Sequence, residues 1–204
     1  MDAVPLVIGG EWMGKFSICL ALVVGIVTNS WAGFPSNRER LLDEVQALNL
    51  SWGAYVLGAP LTPSQRELAQ DHALPIDTPG VYKFQDGSLF VVADGRSHRV
   101  VILYVQYEGV NREGVKKHLG DLVFSHGPPT LFAHDQLVYW AWGKGGKFTS
   151  DQFQAAREAQ RSLDILSTVK FKSEMKIMDD SSGGARGNLY VIMTSEPALA
   201  HYKH

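Results

Sequence analysis

His118, His126 and His134 fall at intervals of eight in the stretch HLGDLVFSHGPPTLFAHD, residues 118 to 135, which closes on Asp135. Imidazole and carboxylate side chains together could hold a zinc or copper ion or serve a histidine-based hydrolase. Zinc ligands with a recognisable spacing lie about three to five residues apart, and an interval of eight matches no such pattern. Only His118 lies within the helix expected here. His126 stands at its end and His134 follows a Pro-Pro break, so helical phase alone cannot bring the three together. If the fold gathers a metal set, it is His126, His134 and Asp135, and zinc or copper is the metal they would take. The plainer reading makes His118 a solvated helix residue, puts His126 at a helix C-terminus where a cation meets the negative end of the dipole, and assigns His134 to a turn.

Three other stretches could carry chemistry. Gly143-Lys144-Gly145-Gly146-Lys147-Phe148-Thr149 lies between an expected strand and an expected helix, where phosphate-binding loops sit, but Phe148 separates Lys147 from Thr149 and breaks the G-x-x-x-x-G-K-[ST] pattern. Two solvated lysines on a connection are the simpler account. Tyr139-Trp140-Ala141-Trp142 puts Trp140 and Trp142 on one face of one strand, where they could stack a sugar, a peptide or an apolar ligand, or fill a core covered by a helix. Asp179-Asp180-Ser181-Ser182-Gly183-Gly184 lacks the D-x-[DN]-x-[DN]-G spacing of a calcium loop. Nucleophilic catalysis finds little: there is no G-x-S-x-G, and adjacency of Ser125 and His126 does not make a triad. No catalytic residue is assigned.

The elements that must position these residues are well signalled. Ser36-Asn37-Arg38-Glu39 reads as a capping box leading into an apolar stripe of Leu41, Leu42, Val45 and Leu48. Thr62-Pro63-Ser64-Gln65 repeats the signal with Pro at the first helical position. A third helix follows Asn111, with Val115, Leu119, Leu122 and Val123 inward, and Gly127-Pro128-Pro129 stops it. A fourth starts at Thr149-Ser150-Asp151-Gln152 and directs Phe153, Ala156 and Leu163 inward. Val81 to Phe84 and Leu89 to Ala93 flank the hairpin signal Asp86-Gly87, and Arg99 to Tyr107 completes a meander. Leu137 to Trp142 is apolar on both faces. Val169 to Ile177 alternates, with Val169, Phe171, Met175 and Ile177 one way and Lys170, Lys172, Glu174 and Lys176 the other, and a long hairpin returns the chain to Asn188 to Thr194. Hairpins dominate, so the expectation is α+β: a mainly antiparallel sheet of about six strands, a meander plus a C-terminal hairpin, with about four helices packed largely on one face.

Residues 13 to 33, MGKFSICLALVVGIVTNSWAG, join a Lys beside a start-like Met to an apolar run from Phe16 to Val27 and then to small residues. That order reads as a secretory signal peptide over residues 1–32, with translation starting at Met13 and cleavage after Ala32. The run is about a dozen residues against the ~20 needed to span a bilayer core, so cleavage is favoured over an anchor. The chain's one Cys, Cys19, lies inside that run, so the mature chain of residues 33–204 is a single domain without disulfides, a composition that fits a bacterial periplasm. A formal charge of −2 on the whole chain provides no basic stripe for nucleic acid.

The segment from Asn111 to Trp142, with a helix, then Gly127-Pro128-Pro129, then an aromatic strand, resembles the unit of small outer-membrane assembly lipoproteins of the BamE/SmpA type. Those proteins carry a lipidated Cys and a tighter helix-to-proline spacing, which this chain lacks. The resemblance implies an interaction module. The expected function is therefore a periplasmic binding or interaction protein of the cell envelope, taking an envelope protein or small ligand through His126, His134, Trp140, Trp142, Lys144 and Lys147. The alternatives are the hydrolase using His126, His134 and Asp135, and an accessory subunit tethered by an uncleaved leader.

Overall fold

The computed structural model describes residues 38–177 and 185–202. The leader assigned to residues 1–32, Ser36 of the first capping box and most of the Asp179 to Gly187 loop lie outside the described residues. Among the described residues there are five helices: α1 (Arg38–Ala47), α2 (Pro63–Asp71), α3 (Arg112–His126), α4 (Ser150–Glu158) and α5 (Glu196–Ala200). The strands are β1 (Ser51–Trp52), β2 (Tyr55–Val56), β3 (Ala73–Leu74), β4 (Val81–Asp86), β5 (Leu89–Asp94), β6 (Val100–Asn111), β7 (Leu131–Ala133), β8 (Leu137–Gly143), β9 (Gly146–Lys147), β10 (Ser167–Ser173) and β11 (Arg186–Thr194). β1 and β2 form a small hairpin of their own. The other nine strands make one sheet in the order β3-β4-β5-β6-β11-β10-β8-β7, with β9 paired to β8, and every pairing is antiparallel. The α+β class holds. The strands beyond the expected six are mostly two- and three-residue pieces too short to show a period.

Strand alternation builds the core. On one face the register aligns Trp140, Val169, Met193, Leu103, Val91 and Phe84 as one rung, each directly opposite the next. The neighbouring rung is Val138, Phe171, Val191, Val105 and Leu89. All eleven side chains are buried, together with Val115 and Leu122 of α3, Ala69 of α2 and Val45 of α1. Pairs of this kind across strands are the unit of sheet stability. The opposite face buries a smaller group, in which Leu41 and Leu42 of α1 meet Val92, Val101, Leu166, Ala198 and Tyr202. Helix α5, too short to show a period although Ser195 caps it and Pro197 lies in its first turn, contributes to this second face, so the helices are not confined to one side.

Two capping boxes fold as read. Thr62 and Thr149 each accept from the amide three residues on, while Gln65 and Gln152 reach back to the cap amide. Asn111 caps α3 by accepting from the Gly114 amide. The fourth helix, by contrast, stops at Glu158, five residues before Leu163. Gln160 there has φ 51°, the Gln160 amide donates to Arg157 O and the Arg161 amide to Ala156 O. This is the Schellman arrangement with Gln where Gly is usual, which is why no glycine announced the stop.

Helix α1 is tied to the sheet by Arg99, which donates to Gly58 O, Asp43 and Gln46, each at 2.7 Å. Gly58 has φ 81°, and a Cβ there would lie 2.6 Å from the α1 backbone, so only glycine allows the β1–β2 hairpin to sit this close to α1. No helix of the described residues is long and apolar enough to cross a membrane.

Gly120 lies in the middle of α3, exposed, and a Cβ added there meets nothing within 4 Å. Gly120→Ala should therefore stabilise the fold by about 0.5–1 kcal/mol, chiefly by restricting the unfolded chain. Urea or thermal unfolding reads this directly, and a loss of stability would mean that α3 needs the glycine.

Candidate functional site

The α1–β1 turn, α3 and the end of the sheet enclose a groove of about 800 Å³. Its floor is Val191 and Met193 of β11, which face α3 because they alternate with Tyr190 and Ile192 along the strand. One wall is α3. The other is Leu48 to Trp52, where the chain leaves α1 through Asn49 at φ 53°. Tyr107 near the end of β6, Trp142 of β8 and Lys147 of β9 complete the lining. The volume lies within the range of small-molecule pockets.

His118 and His126 both line this groove. Eight residues on a helix separate them by about 12 Å along the axis and about 80° around it, so they stand two turns apart along the groove wall. The His118 ring lies on Tyr107 with centroids 4.1 Å apart. The His126 ring stands edge-on to Trp142 at 5.6 Å and lies 6.2 Å from Trp140. Burial holds both imidazoles below the usual histidine pKa, reinforced by the Lys117 charge at His118 and the Lys147 charge at His126, with Asp121 acting in the opposite sense on His118. Each is therefore neutral at pH 7, with one ring nitrogen to donate and one to accept.

The cations of the groove are already engaged. Lys117 pairs with Asp121 at 3.0 Å on the next turn of α3. Lys147 Nζ donates to His126 O and Pro128 O, both at 2.7 Å, and so caps the C-terminus of α3, where a cation is favoured. Burial lowers its pKa. Ser125 Oγ donates to Asp121 O at 2.8 Å, a bond within the helix that leaves no nucleophile–base pair with His126. Asp121 is the sole carboxylate in the lining among the described residues, whereas glycoside hydrolysis ordinarily uses two. The lining thus presents five ring side chains, two of them imidazoles, beside short polar groups.

Of the residues singled out in the sequence, His126, Trp142 and Lys147 line the groove. Trp140 lies beneath it, fully buried, with its indole N–H donating to Gly127 O at 2.7 Å. Lys144 is exposed and pairs with Glu44 of α1 at 2.7 Å. His134 and Asp135 occupy the β7–β8 hairpin tip at φ 54° and 55°, exposed. Strand β8 carries the chain away from that tip, and Trp142 is seven residues beyond Asp135, about 24 Å of extended chain. The structure therefore does not bring His134 and Asp135 to His126, and no three His, Cys, Asp or Glu side chains gather as a metal set among the described residues.

Trp52 and Tyr107, not singled out in the sequence, also line the groove, as does His118, expected there to be a solvated helix residue. The eight-residue spacing of His118 and His126 held the signal for one of them, since two helical turns place both along the same side of a helix. Nothing local could have joined Trp52 and Tyr107 to residues so far along the chain. Comparison with protein-family models, curated proteins and solved structures finds no match to this chain.

Proposed function

We propose that this chain is an exported, periplasmic binding protein of the cell envelope that holds its ligand, a small molecule or a projecting part of an envelope protein, in the groove between α3 and the α1–β1 turn. The observation that carries the reading is the groove itself: about 800 Å³ lined by Trp52, Tyr107, His118, His126 and Trp142, with no nucleophile–base pair among its described residues. The leader at residues 13 to 33, with the one Cys inside it, supports export.

Native mass spectrometry of the protein recovered from a periplasmic extract tests both parts. The expected species is residues 33–204 carrying a non-covalent adduct that Trp52→Ala loses. A chain found uncleaved in the membrane fraction would overturn the periplasmic assignment, and a bare species in both wild type and variant would remove the support for binding.

A further inference from the structure

Resting on that binding reading, we infer that the groove takes a neutral, hydroxyl-rich ring ligand, an oligosaccharide of one to three residues, laid between Trp52, Tyr107 and the α3 wall.

Charge is the first argument. Lys117 is matched by Asp121 at 3.0 Å, Lys147 is bound to two helix-end carbonyls, and both imidazoles are held toward the neutral form by burial. Among the described residues each lining cation already has an acceptor, so a phosphorylated or polyanionic ligand would have to displace Asp121 from Lys117 or two carbonyls from Lys147. The mixture of side chains is the second. Rings supply apolar faces, while the exposed polar residues Asn49, Ser51 and Asp121 stand among them in the lining. A pyranose has this same division, C–H groups on its faces and hydroxyls round its edge. A purely apolar chain would desolvate those polar atoms without return.

The place of the groove in the sheet is the third argument. An extended peptide binds by adding a strand to an open edge. Here the floor is β11, which lies between β6 and β10 and is paired to both along its length. On the other wall β1 pairs only with β2, which leaves an edge of just two residues, Ser51 and Trp52, against the five or six of a usual strand. Recognition in this groove therefore rests mainly on side chains, and rings dominate them.

The test is a titration of the ¹⁵N-labelled protein as isolated, with the indole signals of Trp52, Trp140 and Trp142 assigned by single Trp→Phe substitutions. The probes are triacetylchitotriose, maltotriose and the blocked neutral peptide N-acetyl-Gly-Phe-Gly amide. At least one trisaccharide should shift the Trp52 and Trp142 indole signals saturably, while the Trp140 signal, its N–H bound beneath the groove, stays in place. Trp52→Ala should weaken that binding about tenfold. The wild-type titration stands even where this variant fails to fold. If the peptide moves the same signals and binds more tightly than either saccharide, the saccharide inference falls and the groove remains a binding site. If no probe moves them, the saccharide inference falls, and the native mass spectrum decides the binding reading separately.

Discussion

Replacing Asp94 should cost the fold more than any exposed charge could. Asp94 ends β5 with its side chain fully buried. One oxygen accepts from the Arg96 amide, the Ser97 amide and the Ser97 hydroxyl at 3.0, 2.6 and 2.8 Å; the other accepts from Tyr202 Oη at 2.7 Å and pairs with Arg38 at 3.0 Å. A single carboxylate thus joins the β5–β6 turn, the end of α5 and the start of α1. Asp94→Ala leaves the Tyr202 hydroxyl, the Ser97 amide and a largely covered guanidinium without their acceptor, and a loss of about 3–5 kcal/mol follows. For a chain of this size that is a fall in Tm on the order of 10 °C.

The pH dependence has a definite sign. Burial alone would raise the Asp94 pKa, but the bonds from Ser97, Tyr202 and Arg96 outweigh it and hold the carboxyl below its ordinary value of 3.8. The unfolded chain therefore takes up this proton first. The stabilisation is complete above that ordinary value and is lost as pH falls through the lower folded-state value. In urea titrations the gap between wild type and Asp94→Asn should be constant near neutrality and close below about pH 4. Parallel curves down to pH 2 would show that the carboxylate's charge contributes nothing.

The features legible in the sequence are those with a local cause. Asp86-Gly87 marked a hairpin, Thr62 and Thr149 marked helix starts, and the alternation from Val169 held even where strand pairing stopped: Ser173 ends β10, yet Ile177 is still buried and Lys176 exposed. What escaped has a tertiary or weakly local cause. Gln160 ends α4 in a conformation that Gly would have advertised. The β1–β2 hairpin is held close by Gly58 packing on α1, a contact that no window of residues contains. The site divides in the same way. Residues 126 to 147 supply one end of the groove and were visible as a cluster of chemistry-bearing types, whereas the facing wall comes from Leu48 to Trp52, which reaches α3 only through the fold. Trp140 and Trp142 were read as a pair because they share one face of β8. The register separates them: Trp140 lies opposite Val169 at the β8 end of the core rung, and Trp142 lies near the strand end beside the groove.

That separation gives Trp140 and Trp52 opposite expected phenotypes. Trp140 is a core residue whose indole N–H is the hydrogen bond between β8 and the C-terminus of α3. Lys147 caps the carbonyls on either side of Gly127 and leaves Gly127 O to the indole. Trp140→Phe keeps a ring in the core, opens a small cavity and removes the donor, which together should cost about 2–4 kcal/mol. Trp140→Ala should cost about 3–5 kcal/mol or prevent folding. Because His126 stands over Trp140 and beside Trp142, the Phe variant should also loosen the last turn of α3, seen as faster amide exchange at Ser125 and His126 with little change at Val115. Any ligand should still bind the folded fraction of Trp140→Phe with affinity reduced by less than about threefold, while Trp52→Ala weakens binding about tenfold and keeps most of its stability. Thermal unfolding and a binding titration on the two variants separate the roles. Unchanged stability in Trp140→Phe together with lost binding would place Trp140 in the site and not beneath it.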